Sequence, residues 1–461
     1  MTATQQAPGA AVPAAAATAL PAPPVRGTAR AVRRQRPSSR TTPGVYRLWS
    51  IVLAVALAVS ALTATVSASA MKSGTHRAET NSGPVLVAVQ SLVSDLAEAD
   101  AAATAAFLSG TNEDPEQRRL YEQAVTRAEE QIEDIASLAG NDGATHAALQ
   151  TISVNVTRYS GLVEAGRAGN KAGTAGATTF LAQAVALMNS TIQTDAAKLT
   201  SATQARLSRD QSHRTKGYPA AVIVAVVTLL ALVLAQLAMA RRSRRILNLP
   251  LVAGTVLVAV MLAWLVVGVT RTGHDIASAR VHGYDSIVLT SQLQTTAFGS
   301  KSDDTLALIT NDAARRSAAT DAEAKVAAVP VTPAILDAIR ADRTEGAPGG
   351  LLGQLAQTAD TPRERAGVAD AADRWQRYMT ALSTRSTASA SAGEAGPVSS
   401  AFNGFNFSVQ AVVGQNEDQF IAGLRHAAGT ASRAPAVAVL FPVLALLLAF
   451  AGFQLRINDY R

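Results

Sequence analysis

Apolar and polar positions alternate along this chain in long blocks. Four apolar runs, Trp49–Met71, Pro219–Ala240, Leu251–Thr270 and Pro435–Phe453, each approach the roughly 20 residues a helix needs to cross hydrocarbon. Between the first two lies a polar segment, 72–218, and between the last two another, 271–434. The loop joining the second and third runs, 241–250, is nearly minimal. The pattern predicts four transmembrane helices and two large water-exposed domains.

Within the polar segments the apolar residues recur at three- and four-residue steps, the period of an amphipathic helix. In the first, Val85, Val89, Leu92, Val93 and Leu96 form a stripe that continues through Ala99, Ala103 and Phe107. Ser109–Pro115 breaks it, with Asp114 as a cap and Pro115 at a first helical position. Further helices are predicted over about 115–138, 144–165 and 177–218, with Gly140–Gly143 and the glycines 166–176 as interruptions. In the second segment Ile287, Leu289, Leu293 and Phe298 open a helix, and Gly299–Asp304 reads as its break. Leu306, Leu308 and Ile309 then begin another. A Pro- and Gly-rich interval at 330–350 and a small-residue stretch at Ser386–Ser400 flank a helix carrying Trp375, Tyr378 and Leu382. A last helix carries Phe402, Phe405, Phe407, Val409, Val412 and Phe420. The fold class expected is an all-α membrane protein: four transmembrane helices with two helical-bundle domains outside the cytoplasm. The repeated order of span, domain and span predicts an internal duplication. Thr104–Gly110 against Thr295–Ser300, and Arg158–Leu162 against Arg377–Leu382, are its faint sequence echoes.

Charge sets the orientation. The tail before the first run carries Arg26, Arg30, Arg33, Arg34, Arg36, Arg40 and Arg47 and no acid, and the central loop holds Arg241, Arg242, Arg244 and Arg245. Short arginine-rich loops stay in the cytoplasm. Both termini and the central loop are therefore expected inside, with 72–218 and 271–434 outside. The inside segments then hold thirteen basic residues and one acid, so the outside portions are net acidic although the chain is +7 overall. With the basic excess beside the spans, its expected partner is anionic lipid rather than nucleic acid. Residues 1–48 read as a disordered cytoplasmic tail and 454–461 as a second short one. The first run ends in Ser67–Met71, an Ala-x-Ala-like edge. An uncleaved anchor is expected over a cleaved signal peptide, because the apolar stretch is long.

No catalytic chemistry is legible. The chain has no cysteine, and its six histidines are scattered. It carries neither a HExxH pattern nor a Gly-x-Ser-x-Gly elbow nor a phosphate loop. A non-enzymatic protein without metal or other cofactor is expected. The spans hold no Asp, Glu, Lys or Arg, which argues against a transport pathway, and Gln236 is their main polar group. Arg158 with Tyr159 and Arg377 with Tyr378, at matching places in the two segments, are candidate binding residues for a carboxylate or an acidic partner patch. A helix-face arginine beside a core tyrosine is the plainer reading. Arg241, Arg242, Arg244 and Arg245 are candidates for topology and cytoplasmic docking.

The architecture resembles the periplasmic four-helix sensor part of chemoreceptors and sensor kinases, without their cytoplasmic output. The length, the order of tail, spans and domains, and the charged C-terminal RINDYR resemble the GlnX family of four-span membrane proteins of high-GC Gram-positive bacteria. The abundant Ala, Arg and Gly fit such a source. The resemblance covers nearly the whole chain but offers no motif by which functional residues carry over. It implies a signal relay between a solute-binding lipoprotein outside, sensing acidic amino acids and glutamine, and the cytoplasmic Ser/Thr kinase PknG. A homo-oligomer is a further expected association. The competing readings are an envelope scaffold and a transporter accessory subunit.

Overall fold

The computed structural model describes residues 42–214, 217–243, 248–343, 348–385 and 396–458. All the regular structure in them is helical. The spans are α1 (Thr42–Arg77), α7 (Tyr218–Ser243), α8 (Leu249–Ser278) and α15 (Ala434–Asn458). α1 packs on α7 and α15, and α8 packs on the same two, so the four close into a ring. Side chains such as Ile51, Leu62, Ile223, Leu230, Val256 and Leu447 are exposed on the ring's outer face, where lipid would receive them. Inside it, in the half nearer the head, small residues at helical spacing (Ala64 and Ala68, Ala221 and Ala225, Ala434 and Ala438) pack with Met71, Met261 and Leu265, while Leu53, Leu57, Leu232 and Phe453 fill the other half. Without a hydrophobic force between helices in lipid, small residues let backbones approach closely. Polar groups also bond across the ring. Gln236 Nε2 donates to Thr255 Oγ1 (2.6 Å) and to the Leu251 carbonyl (3.1 Å), and Asn248 Nδ2 donates to the Gly452 carbonyl (3.0 Å).

The remaining helices form a head at one end of the ring. The first polar segment supplies α2 (Gly83–Leu108), α3 (Pro115–Ala139), α4 (Gly143–Lys171), α5 (Ala177–Leu187) and α6 (Gln193–Arg214). Its boundaries follow the sequence signals. Asp114 caps α3 by accepting from the Glu116 amide (2.9 Å), and Gly140 takes a positive φ of 60° at the end of α3. The glycines at 166 and 169, expected to loosen the chain, instead stay in α4. A Cβ on Gly166 would lie 3.3 Å from the Ala177 carbonyl, so the residue admits α5 closely.

The second polar segment supplies α9 (Asp285–Thr310), α10 (Ala313–Val326), α11 (Pro333–Arg340), α12 (Gly350–Thr358), α13 (Pro362–Thr384) and α14 (Pro397–Ser432). Here one expectation fails. Gly299–Asp304 does not break the helix; α9 runs through it and stops at Asn311, in the left-handed region at φ 52°. The polar residues of that stretch are satisfied by neighbouring helices, so water is not needed to hold them. The Pro- and Gly-rich interval also contains the short helix α11 and leads into α12, and 42–48 and 454–458, expected as parts of tails, are helical extensions of α1 and α15. Pro43 sits in the first turn of α1, where its missing N–H costs nothing. Residues 1–41, Arg244, Arg245 and 386–395 lie outside the described residues.

The two polar segments pack against each other along α2 and α9. Ala97 and Ala101 of α2 belong to the core of the second segment, with Leu293, Ala297, Phe298, Trp375, Tyr378 and Phe402. Every residue from Leu96 to Phe107 is buried. The stripe expected on α2 is therefore only one of its faces. Alanines on the others admit helices from all sides.

Candidate functional site

The seam between α2 and α9 concentrates the head's polar chemistry. The two helices have the same length, 26 residues, and each follows a short π-helical segment, Ala78–Ser82 before α2 and Ala279–Tyr284 before α9. They run parallel away from the spans. Asp100 and Ser302, each eighteenth in its helix, meet directly: Ser302 Oγ donates to Asp100 Oδ2 at 2.7 Å. Tyr159 of α4 donates to the other oxygen at 3.3 Å. Burial pushes the Asp100 carboxyl up to about 6, a rise that the bonds from Ser302 and Tyr159 only partly offset.

Charged groups surround this contact. Arg127 of α3 holds Asp95 and Glu98 of α2, both at 2.7 Å. Burial raises the pKa of each of these acids, with Arg127 opposing it. On α9, Asp303 pairs with Arg315 (3.1 Å) and Asp304 with Arg385 (2.7 Å), while Lys301 Nζ lies 4.9 Å from the centre of the Phe402 ring. Gln117 of α3 donates to Ser399 of α14 at 2.8 Å, a second bond between the segments.

Nearer the spans the seam opens into a groove of about 360 Å³. α2 contributes Gln90, Ser91, Ser94 and Asp95; α9 contributes Ser291 and Gln294; α14 contributes Gln410 and Glu417. Ser94 and Ser291 face each other with their oxygens 3.2 Å apart, and Ser291 also donates to the Gln90 carbonyl (3.3 Å). Burial raises the Glu417 carboxyl, and the neighbouring Asp418 raises it further. Carboxamides, hydroxyls and carboxylates dominate, so the groove suits a small polar solute or a polar side chain better than an apolar ligand. Among the described residues no group of His, Asp and Glu is arranged to hold a metal ion.

Below the groove, the π-helical segments before α2 and α9 meet Phe420 of α14; a third, Met188–Ile192, joins α5 to α6 away from it. Phe420 packs with Ala78, Leu86, Tyr284 and Ile287, and its ring centre lies 5.7 Å from that of Tyr284. A Cβ on Gly283 would come within 2.9 Å of the Phe420 Cα, so the close approach depends on glycine.

The candidate pairs from the sequence are split by their helices. Tyr159 and Tyr378 are buried, one against Asp100, the other among Trp375 and Phe402. Each is the seventeenth residue of its helix. Arg158 and Arg377 are exposed, and Arg377 bonds Asp373 one turn back. Neighbours on a helix point about 100° apart, so neither arginine joins its tyrosine in one site. Arg241 is exposed at the end of α7, where the backbone of Arg242 is also helical. The groove residues had no sequence signal beyond scattered Gln and Ser on helical segments.

Residues 74–212 match the model of a family described as an actinobacterial sensor domain. The match begins just before the first π-helical segment and ends in α6. No curated protein and no solved structure matches the chain.

Proposed function

We propose that this protein is a non-enzymatic transmembrane relay: the head senses a polar solute, or a solute-binding protein, outside the cytoplasm, and the spans pass the change to a regulator inside. The observation that carries the reading is the continuity of the seam. α2 and α9, which share the buried Asp100–Ser302 contact and the polar groove, each continue through a π-helical segment into a span. A shift of one helix along the other reaches the ring without an intervening loop, and π-helical segments are frequent at functional sites. The similarity of 74–212 to an actinobacterial sensor domain supports the sensing role.

In the finer reading the arginine-bearing loop and both tails are cytoplasmic, a solute-binding lipoprotein docks on the head, and a Ser/Thr kinase docks at the basic end. Arg241 and its neighbours then serve topology and docking together. The common order of elements in the two halves, and the equal register of Asp100 with Ser302 and of Tyr159 with Tyr378, support descent from a duplicated two-span unit. A rigid envelope scaffold is the second reading, favoured by the complete burial of Leu96–Phe107.

Crosslinking in cells, extraction in mild detergent and mass spectrometry of captured proteins test the proposal. An exported solute-binding protein and a cytoplasmic kinase are the expected captures. Recovery of cell-wall assembly enzymes alone would favour the scaffold.

A further inference from the structure

We propose that the groove between α8 and α14, where the head meets the ring, binds an anionic phospholipid, phosphate uppermost and one acyl chain along α8. The groove is an open crevice with a volume of about 1090 Å³. Its two walls run antiparallel, as the approach of His426 Nε2 to Asp275 (3.9 Å) and of Gly423 to Ala279 shows. From that pairing the levels of the lining follow. Arg425 lies highest, Arg271 about a turn lower, and Arg433 lower again, level with Gly268. Beneath them the lining is Trp264, Val260 and Val437.

Charge and polarity thus change along the groove as they do along a phospholipid. Arg271, Arg425 and Arg433 are exposed and have no ion-pair partner among the described residues, and no carboxylate lines the groove. Three unpaired guanidiniums at the rim of a hydrocarbon-facing crevice call for a counter-charge, and a phosphodiester accepts their planar forks. Trp264 stands at the depth where amphipathic rings favour the boundary of headgroup and chain. The crevice is open because of glycine on both sides: a Cβ added to Gly268 or to Gly429 meets nothing within 4 Å. Packing therefore does not require these glycines, whereas a bulky side chain at either would fill the space an acyl chain needs. A zwitterionic lipid satisfies the same shape but brings its own cation to the arginines.

The intrinsic tryptophans provide the test. The chain has three, Trp49, Trp264 and Trp375. Trp375 is buried in the head's aromatic core, so in a Trp49→Phe background Trp264 is the one within reach of lipid. The full chain is reconstituted into vesicles in which phosphatidylglycerol or phosphatidylcholine, one at a time, carries brominated acyl chains that quench tryptophan. Brominated phosphatidylglycerol should quench at a lower mole fraction than brominated phosphatidylcholine. The combined Arg271→Gln, Arg425→Gln and Arg433→Gln variant should lose that preference, on the order of a hundredfold at about a factor of five per arginine. Gly268→Leu, which keeps every charge, should weaken quenching by both lipids. Circular dichroism of each variant confirms that the head remains folded. Equal quenching by the two lipids in the parent, or a preference that survives the triple substitution, overturns the proposal. So does the absence of quenching by either, the result expected if a second copy or a partner's helix covers α8 and α14.

Discussion

Asp100 is a carboxyl group on a helix face that another helix covers. With its folded-state value raised to about 6 from 3.8, it holds its proton more tightly in the folded protein than in the unfolded chain. The sign follows: the stabilisation is complete below pH 4, is lost as pH climbs from about 4 to about 6, and stays lost above. A shift of about two units amounts to on the order of 3 kcal/mol. Asp100→Asn removes the buried charge and keeps one acceptor oxygen; its NH2 group replaces the other, so either the Ser302 or the Tyr159 hydroxyl must turn to accept instead of donate. Its melting temperature should exceed the parent's at pH 7.5, and its stability should vary less between pH 4 and 6. Asp95, Glu98 and Glu417, all raised by burial, would leave a smaller slope of the same sign. An unchanged profile in Asp100→Asn, followed by Trp375 fluorescence, would refute this account. Ala97–Ala106 holds the acid in plain view of the sequence, yet nothing there distinguishes a solvated Asp from a buried one. That depends on α9, more than 180 residues away in the chain.

At the scale of elements, the sequence marks helix ends best where one residue type is needed for one backbone shape. Asp114-Pro115 and Gly140 are such places, and the helices of the first segment begin and end there. Gly299–Asp304 misleads because a run of small and polar residues reads the same whether water or a neighbouring helix satisfies it. The π-helical segments left no periodic trace of their own, since each inserts only a turn into an otherwise regular pattern. Two glycines on adjoining helical elements should respond oppositely to one substitution. Gly283→Ala drives a methyl group into the Phe420 backbone and should cost about 1–3 kcal/mol. Gly299→Ala meets nothing within 4 Å inside α9 and should gain about 0.5–1 kcal/mol. Chemical denaturation in detergent measures both, and equal effects would remove Gly283 from its role beside Phe420.

Across the whole molecule, the four spans and the all-helical head were readable from hydropathy and period, because lipid and the helix repeat each impose a pattern along the chain. The packing of the two polar segments on each other was not, since its contacts join residues about 200 positions apart. A cysteine-free chain makes it directly testable. Ser94→Cys with Ser291→Cys should form a disulfide on mild oxidation, because the parent oxygens lie only 3.2 Å apart. Mass spectrometry of the digested protein should find the linked peptides; free thiols in folded, oxidised protein would count against the seam. The orientation has its own check. Gly110→Cys should react with a membrane-impermeant maleimide in intact cells and Ser243→Cys should not, and the reverse pattern would invert the topology.

The closed ring of spans has a consequence at its basic end. Trp49, Met239, Leu251 and Phe453, one from each span, meet around a single apolar cluster there. Helices in contact stand 8–10 Å apart, so the segments before α1, between α7 and α8, and after α15 all leave the membrane within about two helix widths of one another. Their points of attachment to the ring, distant in sequence, are thus neighbours in space. A protein that grips one of them finds the others at high effective concentration, and its avidity grows without any new fold on that face.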